Sequence, residues 1–156
     1  MNVRRAEERD IPRISELLVQ VNNVHADGRP DLFIRDCRKY TDDELKKLIR
    51  DDRSPIYVCV SEEELVLGYA FCILEETRGS NNQPDMKTLY IDDICVDEAH
   101  RREHVGSTVY AHVCKEAKRL GCYHITLNVW ELNPTARSFY EAMGLVPLKT
   151  TMEKLL

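Results

Sequence analysis

The chain has 156 residues, 43% of them hydrophobic and 31% charged, and 22 basic against 27 acidic side chains leave a net charge of −5. That is enough chain for one domain, residues 1–156, with a core of its own, and it is far from the compositions of disordered or fibrous proteins. The mildly acidic balance argues against nucleic acid as a partner.

Residues 3–6 read as a short opening strand. Asp10 is then expected to cap a helix with Pro12 in its first turn, and Ile11, Ile14, Leu17, Leu18 and Val21 recur at helical spacing. The stretch HADGRPDLF breaks that helix. Thr41 and Glu44 form a capping box for a second, shorter helix striped by Leu45, Leu48 and Ile49. Strands follow at 56–60, 66–74 and 88–96, with a loop at 77–85 long enough to move and help close a site. Val105, Val109, Val113, Ala117 and Leu120 then mark one face of a helix that Gly121 ends. The run HITLNV is built of β-formers and reads as a central strand. Asn133-Pro134 opens a helix that Gly144 closes, and a last strand is expected at about 149–153.

The order β-α-α-β-β-β-α-β-α-β predicts an α/β fold, a mixed sheet with helices on both faces. The longest apolar run is far short of the ~20 residues a membrane span needs. With its N-terminus charged, no signal peptide is expected. The six cysteines lack CxxC or His-flanked spacing and sit mostly in apolar runs. They read as buried free thiols in a reducing cytoplasm, and no metal is expected.

Arg101-Arg102-Glu103-His104-Val105-Gly106-Ser107 precedes the third long helix without a Ser, Thr, Asp or Asn to cap it. A helix start exposes backbone N–H groups and about half a positive charge. Together with two arginines, this is either an anion cradle or an ordinary loop whose amides are satisfied by water.

Two motifs bear on the choice. One is R-x-x-H-x-G at 101–106. The other is N-x-x-A-x-x-F-Y-x-x-x-G-L on Asn133, Ala136, Phe139, Tyr140, Gly144 and Leu145. In both, and in element order, the chain resembles the GNAT family of N-acetyltransferases. It departs from the family pattern at His104, where the phosphate loop has its first glycine.

The resemblance implies a mostly antiparallel twisted sheet whose two adjacent central parallel strands, YIDDICV and HITLNV, splay apart. The pantetheine arm of acetyl-CoA would lie in that gap against the backbone of Ile94, Cys95 and Val96. The diphosphate would lie on Arg101, Arg102, Glu103, His104, Val105, Gly106 and Ser107. Asn133 either caps its helix or also bonds the pantetheine. Tyr140 matches the tyrosine placed near the leaving sulfur, and it serves both cofactor and chemistry.

Strand alternation puts Asp92 and Asp93 on opposite faces, so only one reaches the cleft directly. Parity does not say which. IDDICV resembles the acidic pair of polyamine-acetylating members, where the first acid is the better base, so Asp92 is favoured over Asp93. The alternative is that an Asp ties down a neighbouring helix or loop. In the family, the loop between the first two helices borders the acceptor. That implies contacts to the substrate from His25 and Phe33 beside Asp92 and Asp93, where the residues alone also allow a solvated polar loop. Trp130 either edges the cleft or simply packs, and His112 and His124 are given no chemical part.

The implied activity is transfer of acetyl from acetyl-CoA to a primary amine of a small molecule or peptide, by direct attack in a ternary complex. The alternative is a non-catalytic acyl-CoA sensor on the same fold. A nucleotide-binding α/β domain lacks its glycine motifs here. Oligomeric state is left open, the dimer being the commonest soluble oligomer.

Overall fold

The computed structural model describes all of residues 1–156. The alternating and helical patterns become β1 (Asn2–Arg5), α1 (Ile11–Gly28), α2 (Asp42–Ile49), β2 (Ile56–Val60), β3 (Val66–Thr77), β4 (Met86–Val96), α3 (Val105–Arg119), β5 (His124–Leu127) and α4 (Pro134–Ala142). The five strands form one sheet in the order β1-β2-β3-β4-β5. Neighbours up to β4 are antiparallel, and β5 runs parallel to β4.

Each face of the sheet carries its own core. On one side Ile14, Leu17 and Leu18 of α1 and Leu45 of α2 pack on Val58, Val60, Tyr69, Phe71 and Cys95. On the other, Val105, Val109, Val113 and Ala117 of α3 pack on Tyr57, Cys59, Ala70, Cys72, Leu89 and Ile91. These are the helical stripes and strand alternations expected of elements buried on one face. Helices therefore cover both faces, as predicted.

Several local expectations change. The carboxylate of Asp10 does not cap α1. It accepts the Glu7 N–H at 2.8 Å and grips Arg4 through two bonds of 2.7 and 3.0 Å. Thr41 and Glu44 do form their capping box. β5 is an edge strand rather than a central one, and it stops at Leu127. The strand expected at 149–153 does not form: residues 145–156 follow α4 without regular structure. Cys59, Cys72 and Cys95 are buried thiols, whereas Cys114 and Cys122 are half-buried and Cys37 is exposed. No helix is long and apolar enough to cross a membrane.

Candidate active site

The two aspartates on β4 do not face opposite sides. Pairing runs Phe71 to Asp93 and then Cys72 to Ile91, so Asp92 is an extra residue in a β-bulge. A bulge of this kind resets the alternation of the strand. Ile91 still faces α3, yet Asp93 and Cys95 beyond the bulge face α1. Asp92 also turns to the α1 and α2 side, where Tyr40, stacked 5.5 Å from Phe71, donates its hydroxyl to it at 2.9 Å. Both carboxylates thus share one face.

Their surroundings differ. Asp92 is engaged by Lys39 Nζ at 2.8 and 2.7 Å as well as by Tyr40. Burial opposes the Lys39 charge, but its bond and attraction to Asp92 prevail and raise its pKa. Lys39 also sits 5.3 Å from the Tyr40 ring, so this ammonium is held by a carboxylate and an aromatic face together. Asp93 has a different setting. Burial pushes its carboxyl up to about 6, Asp92 adds to the rise, and the Tyr69 hydroxyl, donating at 2.7 Å, partly offsets it. A carboxyl poised near neutral pH is suited to take and return protons there.

β4 and β5 pair only from Thr88–His124 to Ile91–Leu127, and from Asp92 onward the β5 side of β4 has no strand. The expected splay begins at the acidic pair. Asp97 N–H bonds to the Leu67 carbonyl of β3 at 2.9 Å. Cys95, two residues earlier, turns its carbonyl the same way, 2.7 Å from where a Gly68 β-carbon would stand. Backbone groups alternate along a strand, so Ile94 and Val96 present theirs to the gap and Cys95 does not. The Val96 carbonyl also accepts from Gln20 at 3.0 Å.

At the end of the gap α3 begins with no side-chain cap. Its first backbone bond is Thr108 N–H to the His104 carbonyl, which leaves the amides of Val105, Gly106 and Ser107 without a backbone partner. Arg101 and Arg102 are exposed, while Glu103 is turned to His100 at 3.0 Å. Asp97, ion-paired to Arg13 and accepting the Ala99 N–H, pins the entry to this loop. Gly106 leaves its bare side facing inward: a β-carbon there would stand 3.4 Å from Phe139 and Val96. The loop accommodates His104 at φ 63°, the left-handed region where a glycine is at ease.

That geometry carries a prediction. A left-handed non-glycine residue costs about 1–2 kcal/mol, and glycine loses about 0.5–1 kcal/mol of that gain to unfolded-chain entropy. His104→Gly should therefore stabilise the fold by about 0.5–1 kcal/mol, read as a Tm rise of roughly 1–4 °C. A lower Tm would show that the histidine side chain contributes more than its backbone costs.

Tyr140 on α4 is 9% exposed. Burial raises its phenol pKa well above the usual value, and the nearby charges of Asp93 and Cys95 raise it further. Asn133 caps α4, its Oδ1 accepting the Ala136 N–H at 3.1 Å.

On the α1 side, His25 and Asp27 lie within the last turns of α1, not in the break after it. His25, Phe33 and Trp130 nevertheless meet as three edge-on rings with centroids 5.0, 5.3 and 6.1 Å apart. Burial lowers the His25 pKa, which keeps that ring neutral. Sequence reasoning missed Lys39, Tyr40 and Tyr69. The first two sit just before a capping box, and nothing in their spacing announces a partner 52 or 53 residues on. Tyr69 looks like any strand tyrosine until it is placed opposite Cys95 and beside Asp93.

The Acetyltransferase (GNAT) family model matches residues 27–145. A tetramutant of the BH1408 protein from Bacillus halodurans superposes with a TM-score of 0.95 at 28% identity, over 100% of both chains. The acetyltransferase from Vibrio fischeri gives 0.68 at 22% identity, over 83% of this chain and 97% of that one. The aminoglycoside acetyltransferase meta-AAC0020, from an uncultured soil metagenomic sample, gives 0.70 at 14%, over 99% and 94%. The last two likenesses concern the fold alone. The family match spans the bulged β4, the uncapped start of α3 and α4 with Tyr140, and the chain belongs to the GNAT family of acetyltransferases.

Proposed function

We propose that this protein transfers the acetyl group of acetyl-CoA to a primary amine of a cationic small molecule or peptide, the amine attacking directly while both substrates are bound. The observation that carries this reading is the acetyltransferase family match over residues 27–145, on a chain whose β4 bulge sets two carboxylates on one face beside Lys39, Tyr40 and Tyr69.

The residues fit the cofactor. The partnerless amides of Val105, Gly106 and Ser107, beside Arg101 and Arg102, suit a diphosphate. Ile94 and Val96 suit the amide-bearing arm, pairing as a strand would. Glu103 and Cys95, turned elsewhere, serve only through the shape of the loop and strand. Acetyl-CoA, when bound, supplies an activated acyl group and a thiolate leaving group.

A lysine-like amine has a pKa near 10.4, so presenting it neutral at pH 7 costs about 4–5 kcal/mol. Asp93 is the group that accepts that proton, and Asp92 binds the incoming ammonium. This reverses the preference drawn from the acidic-pair resemblance. The reason is physical: Asp92 is already committed to Lys39 and Tyr40, whereas the only side chain bonded to Asp93 is the neutral phenol of Tyr69. Tyr140 keeps its proton at neutral pH and donates a hydrogen bond toward the leaving sulfur. The rings of His25, Phe33 and Trp130 form an uncharged wall that favours an acceptor with an apolar stretch beside its amine.

Lys39 occupies Asp92 as an acceptor ammonium would, so the acceptor has to displace it. Lys39 is about half exposed, and such pairs are worth ~0.2–1 kcal/mol. Lys39→Ala should therefore lower KM for cationic amines about 1.5–5-fold, with CoA affinity unchanged by calorimetry. A raised KM would mean that Lys39 orders the pocket instead of filling it.

The deciding experiment is a panel of amines with free-thiol detection, alongside calorimetry with CoA. Saturable CoA binding and amine-dependent thiol release are expected. No CoA binding overturns the reading, and binding without thiol release for any amine assigns the chain to the non-catalytic acyl-CoA modules.

A further inference from the structure

Lys39 stands where an acceptor amine has to stand. Its ammonium donates to both oxygens of Asp92, at 2.8 and 2.7 Å. The side chain comes from the stretch between α1 and α2, which has no helix or strand of its own. It is 53% exposed, over a carboxylate that is only 13% exposed. Tyr40 fixes the approach, with its ring stacked on Phe71 and its hydroxyl on the same carboxylate. Stability does not explain the arrangement. A pair this exposed is worth ~0.2–1 kcal/mol, and Lys39 belongs to neither core.

The direction of the gap says what lies beside that ammonium. α3, with its free amides, begins beyond the far end of β4. A CoA arm anchored there and paired to Val96 and then Ile94 runs back along β4, so its acyl end arrives at Asp92 and Asp93. Asp93 is on the same face as Asp92, and its only side-chain bond is from the Tyr69 hydroxyl. An amine, a carboxylate free to take its proton and the place of the acyl carbon thus converge within one chain.

We propose that Lys39 is itself an acetyl acceptor: the protein modifies its own Lys39 in cis when acetyl-CoA is bound and no free amine has displaced the side chain. This rests on the acetyl-transfer reading and names one substrate of that same site. Asp93 takes one proton from the Lys39 ammonium, and the freed Nζ attacks the acetyl carbonyl carbon. The N–C bond forms, the thioester C–S bond breaks, and its electron pair leaves on sulfur, toward which Tyr140 donates. Nitrogen sheds a second proton as the amide forms. That proton ends on sulfur as the free thiol, and Asp93 returns the first to water. Acetyl-Lys39 has no charge for Asp92 to hold, so one turnover empties the place that the next ammonium needs. Lys39 is a tethered stopper that the site's own chemistry releases.

Two opposed reactivities test this, both read by mass-spectrometric mapping of labelled lysines. Without cofactor, burial opposes the Lys39 charge but the bond to Asp92 prevails and keeps the amine protonated. Acetic anhydride should therefore label Lys39 about 1.5–5-fold more slowly than the exposed Lys115 and Lys118 of α3. With acetyl-CoA and no free amine the order should invert. Lys39 should lead those two lysines by at least ~10-fold, at a rate independent of protein concentration. Asp93→Asn should lose this lead and keep the slow anhydride labelling. Lys39→Arg, which leaves a cation on Asp92 but no amine to acetylate, should show no leading site. Amine-dependent thiol release without a lead at Lys39, or a Lys39 label whose rate rises with protein concentration, would overturn the proposal and leave acetyl transfer standing. Anhydride labelling of Lys39 as fast as of Lys115 and Lys118 would show that Asp92 does not hold the amine, and would overturn it too. Absence of saturable CoA binding would remove both readings together.

Discussion

Asp93→Asn is expected to yield a protein that is more stable at pH 7 than the wild type and nearly inactive. The two effects have one origin. Burial raises the Asp93 carboxyl to about 6, so ionising it in the folded state is harder than in the unfolded chain. Between the unfolded value of ~3.9 and about 6, the native state holds the extra proton, so stability falls as pH rises through that window. Above it the full cost remains, about 2–3 kcal/mol for a shift of roughly two units. Asparagine removes the charge while its carbonyl still accepts the Tyr69 hydroxyl. Tm at pH 7 should rise by roughly 5–10 °C, and the fall in stability between pH 4 and 6 should flatten. With Asp93 as base, the wild-type rate should climb with pH through about 6, and the variant should lose about 10²–10⁴-fold in kcat together with that limb. An active Asp93→Asn with the same pH profile would remove Asp93 from the chemistry and leave only the stability half.

Tyr140→Phe tests the other side of the transfer. Ring and packing are conserved and only the hydroxyl is lost. Its pKa is raised well above the usual 10 by burial and by Asp93, so full proton transfer to a thiolate of pKa ~8.5 is uphill. Hydrogen-bond donation as negative charge develops on sulfur is the feasible contribution. The expected result is a fall in kcat of about 10²–10⁴ with cofactor affinity nearly unchanged. Since the interaction strengthens only as the bond breaks, kcat and kcat/KM should fall together. A rate within twofold of wild type, or a loss confined to CoA binding, would limit Tyr140 to packing.

The elements that a reader of the sequence places correctly are those whose signals are local. The Thr41–Glu44 box, the stripe of α3 with its uncapped start, and the Asn133 cap are decided within a few residues. What escapes is long-range. The apolar composition of β5 suggests a central strand, but its position depends on whether another strand reaches it. Residues 149–153 have a strand's alternation and no sheet within the chain to join. Asp92 and Asp93 follow strict alternation on paper, and no signal in IDDICV marks one residue as extra. The bulge exists only in the pairing with Phe71 and Cys72. His25, Phe33 and Trp130 come from three separate segments, and Lys39 finds Asp92 across 53 residues.

β4 is one residue longer than its ladder with β3 can use. Were Asp92 excised, Ile91 and Asp93 would follow one another on the faces they already occupy, and the ladder would run without interruption. The hydrophobic architecture therefore has no need of this position. The surplus residue stands at the one point where the neighbour on the other side departs, so the irregularity separates the part of β4 that pairs with strands on both sides from the part that pairs with β3 alone.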